Sequence, residues 1–337
     1  MSTKFDDLLA ERGYLLADGA TGTNYFAMGL EAGDAPELWN ASAPDKVRDL
    51  HRRFIQAGSD LILTNTFGGN RYRLALHDAQ ERVRELNRLA AENARAEADA
   101  AGRPVIVAGS MGPTGSILEP VGDLSPADAM AAFTEQATGL AEGGADVLWI
   151  ETISSQEEAV CAVEGAATTG LPIIATLSFD TSGRTMMGLK PEDWPGIVTG
   201  LPAPLAGFGA NCGVGAAELI ASVLAMVKAA APDAVIVSKG NCGVPQFVGT
   251  EIVYSGTPEL MADYARLARD SGARIIGGCC GTSPEHVAAM RAALDGYEPG
   301  AAPDIATVVA RLGEVSDLVH GTDNAAEGAS RRRRRRA

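Results

Sequence analysis

Two adjacent cysteines, Cys279 and Cys280, close the apolar run Arg274 to Cys280, and a third, Cys212, closes the run Leu205 to Cys212. Adjacent cysteines rarely bridge each other in a folded core, so the three read as thiols at the polar ends of two strands. Three thiolates form the donor set for a metal ion, and zinc bound through three protein ligands with a fourth position open is the arrangement of a catalytic site. The group suited to that position is itself a zinc ligand, and a thiol placed there loses its proton at neutral pH. Asp18 and Glu151 also end apolar runs. Buried carboxylates are costly unless paired, so both call for a cation, which a substrate ammonium group would supply. Thiol plus ammonium describes a small amino-thiol such as homocysteine or cysteine.

These residues must be carried by elements that bring distant run ends together. Eight apolar runs bounded by turn residues read as buried parallel strands: Tyr14 to Ala20, Asp60 to Phe67, Pro104 to Pro113, Asp146 to Thr152, Pro172 to Phe179, Leu205 to Cys212, Ala234 to Asn241 and Arg274 to Cys280. Helical spacing fills the intervals, with Ser283, Pro284 and Glu285 as one helix start and Ser154 with Glu157 spaced as a capping box for another. Strand and helix alternating eight times give an α/β fold, a (β/α)8 TIM barrel with a C-terminal extension, although an open doubly wound sheet has the same local signals. The barrel is favoured because the polar residues fall at the C-terminal ends of the strands, where such barrels gather their active sites. Asn65, Ser110 and Ser178 lie on that rim as well, either lining the site or capping strand ends. Gly-rich turns beside Asp18, Ser110 and Asn211 would let backbone N–H groups approach a substrate carboxylate. None of His51, His77, His286 and His320 is expected on the rim, in keeping with chemistry that needs no separate general base. Cys161 and Cys242 read as structural.

The expected organisation is one barrel over residues 1–300, an additional C-terminal helix within 301–320, placed at Ile305 to Val319, and an Arg-rich tail over 321–337. Apolar runs fall short of the roughly 20 residues a membrane span needs, no secretory signal opens the chain, and five cysteines fit a reducing compartment. The expected location is cytoplasmic. The net charge of −15 includes Arg331 to Arg336; without that run 22 basic residues face 43 acidic ones, a net of −21. So acidic a body argues against nucleic-acid binding, and the arginine run reads as a solvated tail.

Asp18-Gly19-Ala20-Thr21-Gly22-Thr23, Thr64-Asn65-Thr66-Phe67, Gly112-Pro113-Thr114, Ile150-Glu151-Thr152, Asn211-Cys212-Gly213 and Gly277-Gly278-Cys279-Cys280-Gly281-Thr282 occur in an order that resembles the homocysteine S-methyltransferase family, from about Leu9 to Leu294. The resemblance implies a zinc-dependent barrel that methylates homocysteine to methionine. It maps the zinc ligands onto Cys212, Cys279 and Cys280 and the amino-group contacts onto Asp18 and Glu151. It matches Asn241 to an asparagine that approaches the zinc when substrate is absent. As methyl donor it implies glycine betaine, with S-methylmethionine as an alternative, or a corrinoid protein if the chain is the homocysteine-activating subunit of a split cobalamin-dependent methionine synthase. Mammalian betaine enzymes carry tyrosines where Gly68 and Thr152 stand here. Trp39, Tyr25, Phe26 or Tyr72 would then have to supply the aromatic surface that a quaternary ammonium group favours. A non-enzymatic zinc- or thiol-binding protein is the reading from another class.

Overall fold

The computed structural model describes residues 2–243, 245–248 and 251–316. Among them the strands are β1 (Leu15–Leu16), β2 (Leu61–Leu63), β3 (Ile106–Met111), β4 (Val147–Ile153), β5 (Ile173–Leu177), β6 (Gly207–Cys212), β7 (Ile236–Gly240), β8 (Pro245–Val248), β9 (Glu251–Tyr254) and β10 (Ala273–Gly278). Eight of them, all but β8 and β9, form one parallel sheet in the order β1-β10-β7-β6-β5-β4-β3-β2. A parallel bridge from Ala17 to Leu61 brings β1 back to β2. Beside it the Asp60 N–H donates to Leu16 O at 2.7 Å, and Asp60 Oδ2 accepts the Leu16 N–H at 3.0 Å. The ring closes as a (β/α)8 barrel.

Strand composition follows from burial on both faces, which selects continuous apolar runs rather than alternation. One face fills the barrel interior with Leu15, Leu61, Ile106, Val147, Trp149, Ile174, Val237 and Ile275, while Leu16, Ile62, Val107, Leu148 and Ile276 face the surrounding helices. Phe5, Leu8 and Leu9 of the first helix, Lys4–Arg12, join the interior cluster. That helix stoppers the N-terminal end, so access is left to the opposite rim.

Several expectations shift. The first two strands are much shorter than their apolar runs, because the polar ends leave the ladder to bond with side chains and turns: Thr66 N–H, for example, turns back to Thr64 O. The helix expected to begin at a Ser154–Glu157 capping box instead spans Gln156–Ala167, with Ser155 as its N-cap; Ser155 Oγ accepts the Glu158 N–H at 3.1 Å. An antiparallel hairpin, β8 with β9, precedes the helix between β7 and β10, an interval where only helical spacing was expected. The helix beyond the barrel spans Ile305–Leu312 and ends at Gly313, whose φ of 103° an L residue avoids. Residues 317–337, and with them His320 and the arginine run, lie outside the described residues. Among the described residues no helix is long and apolar enough to cross a membrane.

Candidate metal centre and substrate cavity

Cys212 ends β6, and Cys279 and Cys280 directly follow β10. Two strands separate in sequence but flanking β7 thus deliver their sulfurs to one point. The three Sγ atoms lie within 4.8 Å of one another, with Cys212 and Cys280 3.9 Å apart, and all are free thiols. Sulfurs at corners of a tetrahedron with bonds of about 2.3 Å stand about 3.8 Å apart, so the cluster fits a single ion of zinc's size. S–H groups of Cys212 and then Cys279, with the Tyr254 hydroxyl, hold the Cys280 thiol well below its ordinary range, while its hydrogen bonds to Cys279 and Cys280 push the Cys212 thiol up. Gly281 permits the Tyr254 contact: its φ is 79°, and a Cβ there would stand 2.3 Å from Tyr254 Cγ.

Asn241 does not point a free carboxamide at the sulfurs. Its Oδ1 accepts the Cys280 N–H at 3.0 Å and its Nδ2 donates to Gly213 O at 2.7 Å, so it staples the two cysteine loops. Cys242 is buried, its N–H bonded to Cys280 O, and burial raises its thiol to about 11. Cys161 is buried in the helix Gln156–Ala167, away from the cluster.

The cysteines open onto a cavity of about 500 Å³ that is also lined by Glu151, Ser110, Asn65 and Lys239. Glu151 accepts a hydrogen bond from Ser110 Oγ, and burial raises its carboxyl to about 7. Asn65 donates to Pro36 O and Asn40 Oδ1 and so ties rim loops together. Ser178 lies apart from this cavity; its Oγ accepts the Gly213 N–H at 3.2 Å, and it lines a neighbouring cavity of about 750 Å³. Asp18 is fully buried behind the wall, Oδ2 accepting the Leu63 N–H at 2.8 Å and Oδ1 lying 3.6 Å from Lys239 Nζ. Burial raises Asp18 to about 7 as well, against the pull of Lys239.

Lys239 is the residue that sequence reasoning missed. Burial alone would lower its pKa, but Asp18, Cys279 and Glu151 outweigh that and raise it, so it is the buried cation among these acids. The available signal was a lysine inside the apolar run that forms β7. Glu37 was also missed; it is buried on the cavity wall with the Gly68 N–H bonded at 2.6 Å. His77 lines the cavity too, contrary to the expectation that no histidine stands on the rim. It arrives on a short 3₁₀ turn, Ala75–His77, that follows no strand-end pattern. Of the aromatic candidates, Tyr25 is fully buried, Trp39 packs against Tyr25 and beneath Lys46, and Tyr72 packs on the core; Phe26 alone of the four reaches the cavity, which Phe67 also lines.

A closed parallel barrel with a three-cysteine cluster in its C-terminal mouth defines a class: barrels equipped to hold a metal ion beside a small-molecule cavity. The model of the homocysteine S-methyltransferase family matches residues 15–294, and the chain belongs to that family. It is 30% identical to a methionine synthase of Mycobacterium tuberculosis over 96% of this chain and 29% of the relative, and 30% identical to one of Mycobacterium leprae over 88% and 26%. It therefore spans less than a third of these relatives. Among solved structures, the oxidized form of the homocysteine methyltransferase MmuM from Escherichia coli superposes with a TM-score of 0.71 at 26% identity, covering 86% of this chain and 99% of that one. A metallated form of the same enzyme gives 0.70 at 25% identity, with the same coverage.

Proposed function

We propose that this chain transfers a methyl group to the sulfur of homocysteine, forming methionine, with zinc held by Cys212, Cys279 and Cys280. The observation that carries the reading is the convergence of three thiols, spaced for one ion, on the cavity that also presents Glu151. Bound there, zinc supplies the Lewis acidity that keeps a substrate thiol deprotonated at neutral pH.

The chain's own residues do the rest. Glu151, oriented by Ser110, receives the substrate ammonium and becomes a paired rather than a lone buried carboxylate. Asp18 acts from behind the wall: by pairing with Lys239 it holds one cation in place, leaving Glu151 as the carboxylate open to a second. Asn241 fixes the separation of the two cysteine loops. The enclosing rim excludes water while sulfur and donor methyl are brought in line.

For the donor, a small onium compound such as glycine betaine is supported by the neighbouring cavity. It meets the thiol cavity at Thr152, and its described lining carries Glu119, Glu157, Glu158 and Asp180 but no basic side chain. A second reading, in which the methyl arrives on a separate corrinoid protein, is supported by a different observation. The large exposed apolar side chains among the described residues, Phe26, Leu76, Ile117, Val121, Met186 and Met187, all lie in the connections that follow the barrel strands at the cavity end, and a solvent-facing apolar collar marks an interaction surface. Methionine formation assayed side by side with betaine, S-methylmethionine and methylcobalamin separates the donors. Protein without stoichiometric zinc, or a Cys279→Ser variant that keeps both metal and turnover, would sink the proposal.

A further inference from the structure

Asn211 stands one residue before Cys212 and is fully buried, yet its carboxamide is fully engaged. Oδ1 accepts the Thr152 N–H at 2.9 Å and the Thr176 hydroxyl at 2.7 Å; Nδ2 donates to Thr152 Oγ1 at 2.8 Å and lies 4.0 Å from Cys279 Sγ. The Thr152 N–H fixes which end of the amide carries oxygen, since only an acceptor can face it.

The local backbone explains why such a clamp is needed. Ile150 pairs with Ala175 and Ile153 with Leu177, so Glu151 and Thr152 together oppose the single Thr176, a bulge that takes the Thr152 N–H out of the ladder. Thr152 sits at φ 64°, which a β-branched residue avoids, and Cys212 at φ 60°. Conformations of this kind persist only where neighbours over-determine them. Asn211 supplies that constraint at Thr152 through both the N–H and the hydroxyl, and its own main chain runs directly into Cys212. The amide it holds belongs to the peptide that links Glu151 to Thr152. One side chain therefore joins the strand bearing the carboxylate to the strand bearing a thiol.

We infer that Asn211 is a positioning residue that fixes the span between the Glu151 carboxylate and the thiol cluster, and through that span selects homocysteine over cysteine, which is one methylene shorter. The inference rests on the homocysteine reading above. A methylene is worth about 10–200-fold in discrimination, and a displacement of about 1 Å is enough to forfeit it.

The test uses the full chain loaded with zinc, as wild type, Asn211→Ala and Thr152→Val, and measures zinc content, hydrogen exchange across residues 148–153, and calorimetric affinity for homocysteine and for cysteine. In Asn211→Ala, zinc is expected to stay at one equivalent and exchange at Thr152 to rise at least about tenfold. Homocysteine affinity should fall about tenfold, the scale of one lost buried hydrogen bond, with cysteine affinity unchanged. Thr152→Val keeps the N–H bond and loses only the hydroxyl, so exchange should hold while the preference for homocysteine shrinks about threefold. Equal losses for both amino-thiols, or an unchanged preference, overturn the inference; if Asn211→Ala fails to fold, an unchanged preference in Thr152→Val does so alone. A wild-type chain that binds neither amino-thiol overturns the homocysteine reading itself, an outcome distinct from a wild type that binds homocysteine and a variant that still prefers it.

Discussion

Glu151 and Lys239 line the thiol cavity with Asp18 buried behind them, and the balance of the three decides what the site can accept. Asp18 has a folded pKa of about 7 against an ordinary value of 3.8. Its contribution to stability is therefore fully present below about pH 4 and is lost as pH rises through 7. Removing the lysine pushes Asp18 higher still. Lys239→Met should destabilise the metal-free protein by about 3 kcal/mol at pH 8, the scale of breaking a buried pair, and by much less at pH 5, where the carboxyl is protonated. Adding Asp18→Asn should restore most of the loss. Urea unfolding at the two pH values reads this, and equal losses at both would count against the pairing. His51 titrates with the opposite sign. It is fully buried, neither ring nitrogen has a hydrogen-bond partner among the described residues, and burial lowers its pKa to about 4. The unfolded chain takes up that proton near pH 6.5, so stability is lost as pH falls from 6.5 to 4. Relative to wild type, His51→Leu should gain about 3 kcal/mol across that window. A difference between the two that stays flat with pH would show that the imidazole is not held neutral.

At the scale of the element, caps and bulges decide where side chains point, and there one residue changes the outcome. Ser155, not Ser154, caps the helix Gln156–Ala167 that follows the Glu151 strand, its hydroxyl accepting the Glu158 N–H in the first turn. Ser155→Ala should cost about 1 kcal/mol and Ser154→Ala less than about 0.5 kcal/mol in chemical denaturation; the reverse order would move the cap. Each serine has a glutamate three residues on, Glu157 for Ser154 and Glu158 for Ser155, so the spacing does not choose between them; β4 bulges at Thr152 and uses one more residue before the helix begins. The cysteines and Glu151 were legible for the opposite reason: thiols and a carboxylate that end apolar runs have few structural uses. Lys239 was not legible as a site residue, because lysine near a strand end usually reaches solvent, and only the strand order β1-β10-β7 brings its ammonium group to the Asp18 loop. The β8–β9 hairpin carries no alternation that separates it from a loop, yet it brings Tyr254 to Cys280.

For the molecule as a whole, the stoppered N-terminal end leaves the opposite mouth of the barrel open for chemistry, and the exposed apolar side chains lie on that face. A small donor needs only the cavities, whereas a carrier protein must also cover the collar. Ile117, Val121 and Met186 line the mouth of the acidic cavity from two rim loops and are 50%, 74% and 80% exposed, so replacing all three with serine removes apolar contact area without opening the core. Such a variant should unfold within about 0.5 kcal/mol of wild type, since surface changes away from caps and cores do little. If the methyl arrives on a protein, the variant should need at least about tenfold more carrier for half-maximal methionine formation, with turnover on free methylcobalamin unchanged, because anchors of this kind are worth more than about 1 kcal/mol in a protein interface. If betaine is the donor, the same substitutions should leave its KM within about threefold, because the carboxylates of that cavity, and not these exposed apolar tips, would hold its cation. Equal sensitivity toward every donor would mean that the collar shapes the cavity itself and is not a docking surface.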